Sequence, residues 1–498
     1  MKKLAFAFFV VFVFTSFVVN GVHASRDHRL QNQNYPSLRI YDPLEEVVAD
    51  LEAFIPDYMS QEEVPGVGIA LIREGQVVWS DGYGISSLLT KTPVLSETTF
   101  QLASNSKVVT AYIALSLVDQ GLLSLDEPLG NYLDEPYISQ EEFRSVITLR
   151  HTLSHTSGMG HDGISHKVRF QPGAGYSYSA NGFLYTQKVL EEITGKPLDQ
   201  LAQELVFEPL EMQNSSFVDS PVVIDNASSG HFPAMALLIV FLFAVSVIFL
   251  IFWLLVLIVW RIKNGDWRMS RRVTVMVYIA SVISVTILVS IMTGGIKPYH
   301  IFLIVFTCGA LILLMWFADR VLRLIARDRL RLKNLLLVVF FIIIVIGFVA
   351  IASIIGDIPN PPVTNVKPSA AGTLRSTAVD MGKFLIELAE PHFLSPDQAD
   401  QIRSPQVSLS SDLSWGLGPG IQHSQDGDAL WQWGQTLDFQ SVMIIYPDLG
   451  FGVVVLTNSD LLNPDVAIDI AHRAIGGKIE GIIGGSHLQF NYQGPFIE

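Results

Sequence analysis

The sequence predicts an α+β fold: an antiparallel sheet flanked by helices, with a helical subdomain, interrupted by an α-helical transmembrane bundle. Three observations lead there. Near the start, VGIALIREGQVVWSDGYG alternates apolar and polar residues around Glu74-Gly75, the pattern of a β-hairpin. Near the end, SVMIIYPDLGFGVVVLTNSD gives two more strands around a turn at residues 447–450. Helical periods fall at residues 107–119, 184–193, 377–388 and 466–475, and strands at both ends with helices between them suit such a layered architecture.

Taken in chain order, the opening MKKLAFAFFVVFVFTSFVVNGVHA has two lysines, an apolar run and a small residue at Ala24. It reads as a secretory signal over residues 1–24. Residues 25–231 and 357–498 then read as two parts of one outer domain, separated by residues 232–356. That middle block holds four apolar segments, near 232–260, 273–293, 300–317 and 335–355, each close to or above the ~18–20 residues that span a bilayer. The loop RIKNGDWRMSRR, and the arginines from Arg320 to Arg331 with Lys333, are strongly basic; the loop around residues 294–299 carries only Lys297. Basic loops stay inside, which puts both flanking segments outside and the chain in the cell membrane as a multi-pass protein. No ionisable residue sits in the middle of a span, so anchoring is favoured over an ion or proton path.

The block carries 12 Lys/Arg against 3 Asp/Glu in a chain of formal net charge −15, so the outer segments are acidic. Nucleic acid is thereby disfavoured as a partner, leaving a small-molecule or peptide substrate and the membrane itself. The one cysteine, Cys308, lies in an apolar run, so no intrachain disulfide can form and a large core must supply stability.

The chemistry centres on FQLASNSKVVTAYIALSLVDQG. Ser104 and Lys107 are three apart, a spacing that puts both on one helix face. A serine at the first turn lies in the positive end of the helix dipole, and a desolvated lysine can lose its proton near neutral pH. Together they make a workable nucleophile and base.

At this point the sequence resembles the serine β-lactamase and penicillin-binding superfamily, in particular its class C β-lactamase-like hydrolases. The likeness runs in order through both outer segments. VPGVGIALIREGQVVWSDGYG resembles the opening hairpin, TTFQLASNSKVVTAYIALSLVDQGLLSLDEPL the nucleophile helix, ITLRHTLSHTSGM the H-T-S-G segment and PGAGYSYSANGF the tyrosine loop. AAGTLRSTAVDMGKFLIEL and YPDLGFGVVVLTNSD resemble later elements of the same fold. The resemblance implies an acyl-enzyme on Ser104 with Lys107 as base. It also implies that Tyr178, its pKa lowered by the lysine ammonium, relays a proton. The oxyanion hole would be the backbone N–H groups of Ser104 and Gln435. Substrate-binding positions would be Asn181, Gln432 and Gly434. No cofactor and no metal are implied; His151 and His155 have helical spacing, but with His161 and His166 they fall in or after a structural segment of the family.

Two departures stand out. The family's Y-x-N appears as Tyr178-Ser179-Ala180, with Asn181 one step late. The third motif, K-T-G or H-x-G in the family, appears as Gln432-Trp433-Gly434. A neutral amide there argues against recognition of a substrate carboxylate, while Trp431 and Trp433 read as packing residues. Two functions compete: a membrane-anchored extracytoplasmic serine hydrolase acting on a peptide, amide or ester, with D-amino-acid or cell-wall peptides in view, and a catalytically degenerate ligand-binding sensor.

Overall fold

The computed structural model describes residues 37–87, 90–161, 163, 165–230, 367–436, 438–459 and 465–477. The proposed signal and all four apolar segments lie outside these residues. Among the described residues, no helix is long and apolar enough to cross a membrane.

The stretches Tyr35–Pro233 and Asp357–Glu498 belong to one compact unit. Its centre is an eight-stranded antiparallel sheet. The strands are β1 (Gly66–Arg73), β2 (Gln76–Gly84), β5 (Val407–Ser408), β6 (Leu413–Trp415), β7 (Gly420–Ser424), β8 (Gly427–Gln435), β9 (Gln440–Tyr446) and β10 (Phe451–Thr457). They lie in the order β2-β1-β10-β9-β8-β7-β6-β5. β1 pairs with β10 from Val67↔Thr457 to Ile72↔Gly452, so residues far apart in sequence are neighbours in the middle of the sheet. A separate two-stranded ribbon joins β3 (Phe100–Gln101) to β4 (Arg375–Ser376).

Strand residues alternate between two cores, as the period of two requires. Val67, Ile69 and Leu71 of β1, and Val453 and Val455 of β10, face one apolar cluster. Ala70, Ile72, Val454 and Leu456 face the other. Helices α1 (Leu44–Glu62) and α6 (Val466–Ile475) cover the first face; α1 buries Val47, Leu51, Ile55 and Met59, a four-residue stripe. Helix α5 (Ala378–Ala389) packs on the second face, against β1, β2, β9 and β10. Also on that side are α2 (Asn105–Asp119), α3 (Leu149–Leu153) and α4 (Ala180–Thr194). Every residue of α2 from Asn105 to Leu117 is buried. The run Val108–Leu117 is apolar apart from Thr110 and Ser116, as suits an interior helix, and α2 lies between α4 and strands β8 and β9.

The expected helices at 107–119, 184–193, 377–388 and 466–475 correspond to α2, α4, α5 and α6, two of them with earlier starts. At the expected β1–β2 hairpin, Glu74 and Gly75 both have positive φ, 51° and 67°. This left-handed pair matches the twist of the flanking strands. A non-glycine residue in that region costs roughly 1–2 kcal/mol, and asparagine tolerates it better than glutamate. Glu74→Asn is therefore expected to stabilise the domain by about 0.5–1 kcal/mol. Gly75→Ala should destabilise it by about 1 kcal/mol through backbone strain, because no atom lies within 4 Å of the added Cβ. Denaturant unfolding of the two variants measures both.

Candidate active site

Ser104 is the residue immediately before α2 and is half-buried. The chain reaches it through a tight turn in which Ala103 adopts φ +46°. The N–H groups of Asn105, Ser106 and Lys107 donate to the carbonyls of Leu102, Ala103 and Ser104, at 3.1, 3.0 and 3.0 Å. One helical turn on, Lys107 is 1% exposed. Its Nζ lies 2.9 Å from Ser104 Oγ and donates to the Ala371 carbonyl at 2.8 Å. Burial takes the lysine pKa from 10.5 down to about 7, because an ammonium stripped of water is disfavoured.

Tyr178 comes to the pair from the loop before α4. Its ring centroid lies 5.0 Å from Lys107 Nζ, and its hydroxyl is hydrogen-bonded to Ser104. The sequence reading expected its pKa to be lowered by a neighbouring ammonium. The structure reverses the sign: burial pushes the phenol up to about 12. Desolvation of the phenol outweighs any pull from the neighbouring amine, whose own charged form burial also disfavours.

His155 of the H-T-S-G segment fixes the tyrosine loop. Its carbonyl accepts from Ser177 N–H at 2.8 Å and its Nδ1 from Ser179 N–H at 3.0 Å, so one residue holds the chain on both sides of Tyr178. The His155 ring packs 4.2 Å from the Tyr178 ring. It is fully buried, and burial holds its pKa well below 6.5. A neutral ring accepting at Nδ1 carries its proton on Nε2. The other three histidines have separate tasks. His151 completes a capping box with Thr148, His166 stacks on Tyr137 at 4.1 Å, and His161 lies 5.3 Å from the Tyr178 ring.

Strand β8 closes the site. Gln432, 1% exposed, donates through Nε2 to Tyr178 Oη at 3.0 Å, to the Trp433 carbonyl at 3.0 Å and more weakly to the Ser104 carbonyl at 3.4 Å. At Gly434 an added Cβ would stand 2.1 Å from the Leu102 carbonyl and 2.9 Å from Ser104 N. Only glycine lets the strand approach the nucleophile turn this closely. Gln435, the last residue of β8, follows at once, paired with Gln440 of β9. Behind the turn, Asn105 Nδ2 donates to Ser441 Oγ at 2.7 Å, and Ser441 Oγ donates to the Leu102 carbonyl at 2.8 Å. Trp431 packs edge-on against Trp415 in the core, while Trp433 is half-buried.

The structure thus brings together Ser104, Lys107, Tyr178, Gln432 and Gly434. Asn181, expected at the substrate, is buried, and its Nδ2 donates to the Ser165 carbonyl at 2.7 Å. The reason is register: successive helix residues point about 100° apart, and Ala180 takes the preceding position at the start of α4. Sequence reasoning missed Ala371, whose contribution is a backbone oxygen, and the Asn105–Ser441 clamp, whose members are 336 residues apart. The S-x-x-K spacing pointed to the pair itself; no side-chain pattern points to a carbonyl.

This fold and this site define a β-lactamase-like protein. The profile of the Beta-lactamase family matches residues 51–236 and 345–478, and the chain belongs to that family. Among its relatives, "Esterase EstB" of Burkholderia gladioli is 28% identical over 207 residues, covering 35% of this chain and 52% of the esterase. "D-aminopeptidase" of Brucella anthropi is 26% identical over 196 residues, 36% of this chain and 38% of that protein. The match therefore spans about half the length of the first relative and less of the second. In fold, the chain is similar to the D-alanine carboxypeptidase AmpC from Burkholderia cenocepacia, with a TM-score of 0.53 at 15% identity, over 87% of this chain and 99% of that one.

Keeping Lys107 dry opposes folding. Its unfolded pKa of 10.5 exceeds the folded value of about 7, so the unfolded chain binds the proton more readily between them. The penalty is complete below pH 7 and fades as the pH rises to the unfolded value. At 1.36 kcal/mol per unit it amounts to about 3–5 kcal/mol. Lys107→Met is expected to raise stability by about 2–4 kcal/mol at pH 7 and to abolish any chemistry at Ser104. Denaturant unfolding at pH 7 and again near pH 10.5 checks it: the gain must shrink at the higher pH.

Proposed function

We propose that the chain is a serine hydrolase that cleaves an ester, amide or peptide through an acyl-enzyme on Ser104. The observation that carries this reading is the 2.9 Å approach of a buried lysine amine, its pKa lowered to about 7, to the Ser104 hydroxyl. The amine of Lys107 takes the hydroxyl proton as Oγ forms its bond to the substrate carbonyl carbon. Negative charge on the carbonyl oxygen is received by the backbone N–H groups of Ser104 and Gln435, a role supported by the contact of β8 with the nucleophile turn at Gly434. As the carbon–leaving-group bond breaks, Tyr178 gives its hydroxyl proton to the leaving group and is recharged from Lys107. Water then repeats the sequence on the acyl-enzyme. The names esterase and D-aminopeptidase among the relatives agree with an ester or D-amino-acid peptide substrate.

The domain sits at the outer face of the cell membrane, anchored by four spans within residues 232–356. The support is hydropathy, the two basic loops and the leader-like start. The oxyanion role of Gln435 and a substrate contact at Gly434 belong to the same proposal.

Labelling by a fluorophosphonate tests the hydrolase reading. Wild type is expected to acquire the label and Ser104→Ala to lose it; a folded wild type that no acylating probe labels points to the ligand-binding sensor instead. The labelling rate should rise with pH through about 7, as Lys107 loses its proton. No decline from tyrosine ionisation should follow below about pH 10, since the phenol stays protonated up to about 12.

Gln432 shapes the substrate. Both hydrogens of its amide have protein acceptors, Tyr178 Oη and the Trp433 carbonyl. None is left for a carboxylate, so substrates neutral beside the scissile bond are favoured. Gln432→Lys is expected to raise kcat/KM for a substrate with a free carboxylate about tenfold relative to its methyl ester. An unchanged ratio by steady-state kinetics counts against the assignment.

A further inference from the structure

The two partners of Lys107 Nζ are Ser104 Oγ and the carbonyl of Ala371. That carbonyl belongs to the first few described residues after position 366, and a side chain on α4 holds them in place. Gln187 is 9% exposed. Its Nε2 donates to the Pro368 carbonyl at 2.8 Å and its Oε1 accepts from Ala370 N–H at 2.8 Å. One amide thus fixes the peptide groups on both sides of Ser369. From there the chain folds on itself: Gly372 N–H donates to the Ser369 carbonyl at 3.1 Å, and Ser369 N–H to Thr373 Oγ1 at 2.8 Å. A third tie runs from α2, where Ser106 Oγ accepts from Leu374 N–H at 3.1 Å. The Ala371 oxygen is therefore aimed at Lys107 by contacts on either side of it.

Position matters as much as contact. Gln187 lies seven residues after Ala180, two turns along α4 and so on the same face. Ala180 stands where the Y-x-N pattern of the resembled family has an asparagine. We infer that Gln187 is a positioning residue for Lys107: it holds the segment that presents the Ala371 carbonyl as the amine's second partner. The inference rests on the hydrolase reading for its consequence, though not for its geometry. With its acceptor in place, the amine keeps one N–H on Ala371 and turns its lone pair to the Ser104 hydroxyl. Without it, the amine is free to rotate away.

The sign of the effect on ionisation also follows. A carbonyl binds an ammonium N–H more strongly than an amine N–H, so its loss favours the neutral form and lowers the pKa. A residue that only filled space would slow nothing and move no midpoint.

The test compares fluorophosphonate labelling of wild type and Gln187→Ala across pH, with thermal unfolding to confirm that each is folded. Gln187→Ala should label about tenfold more slowly on the high-pH plateau, with its midpoint moved to lower pH. A folded Gln187→Ala with wild-type rate and midpoint overturns the inference. If wild type itself takes no label, the hydrolase reading fails, and a crystal structure of Gln187→Ala decides the clamp. An Ala371 carbonyl moved out of hydrogen-bond reach of Lys107 supports it, and one still on Nζ overturns it.

Discussion

An amine held out of water is the constraint on which the site depends. Lys107 can act as a base near neutral pH only if no solvent and no anion stabilise its charged form. Every neighbour described around it satisfies that condition. It meets a hydroxyl, a carbonyl and the face of a phenol ring, and it lies on a helix that is buried all round. A carboxylate in any of these places would raise the lysine pKa and silence the base. The same desolvation that prepares the amine keeps Tyr178 protonated. The pair then divides the work by environment: one group accepts a proton, and the other has one to give.

The scaffold exists to bring three distant segments to that amine. β8 approaches the nucleophile turn because Gly434 has no side chain, and the Asn105–Ser441–Leu102 chain of hydrogen bonds keeps it there. The tyrosine loop is held by His155 at two amides, which requires that ring to stay neutral. The segment carrying Ala371 follows the apolar block of residues 232–356 in the chain and is fixed by α4 and α2. Ala103 in the nucleophile turn and His155 both have left-handed backbone, φ 46° and 58°. Such conformations persist only where surrounding contacts over-determine them.

What the sequence disclosed follows from which interactions leave a pattern. The hairpin at Glu74-Gly75 and the β9–β10 pair were legible because buried strands alternate, and α6 because its apolar period is regular. Helix α1 was not read, despite Val47, Leu51, Ile55 and Met59 at intervals of four, since Pro56 interrupts it and acidic residues surround the stripe. Strands β5 to β7 are two to five residues long, set by pairing with neighbours and not by their own sequence. At the site, Ser104 and Lys107 were legible because helical spacing alone joins them. The sign of the Tyr178 shift was misread because burial is a property of the assembled fold. The Asn181–Ser165 contact was not legible, because one residue of register turns a helix side chain to a different face.

The central claim concerns the charge on one nitrogen, and NMR of the full chain with 13Cε-labelled lysine reads it directly. The Lys107 signal is identified by its loss in Lys107→Met. The account predicts a titration midpoint near 7, more than three units below the ordinary lysine value of 10.5. A midpoint near that ordinary value would show an ammonium beside Ser104 at neutral pH and contradict the proposed base.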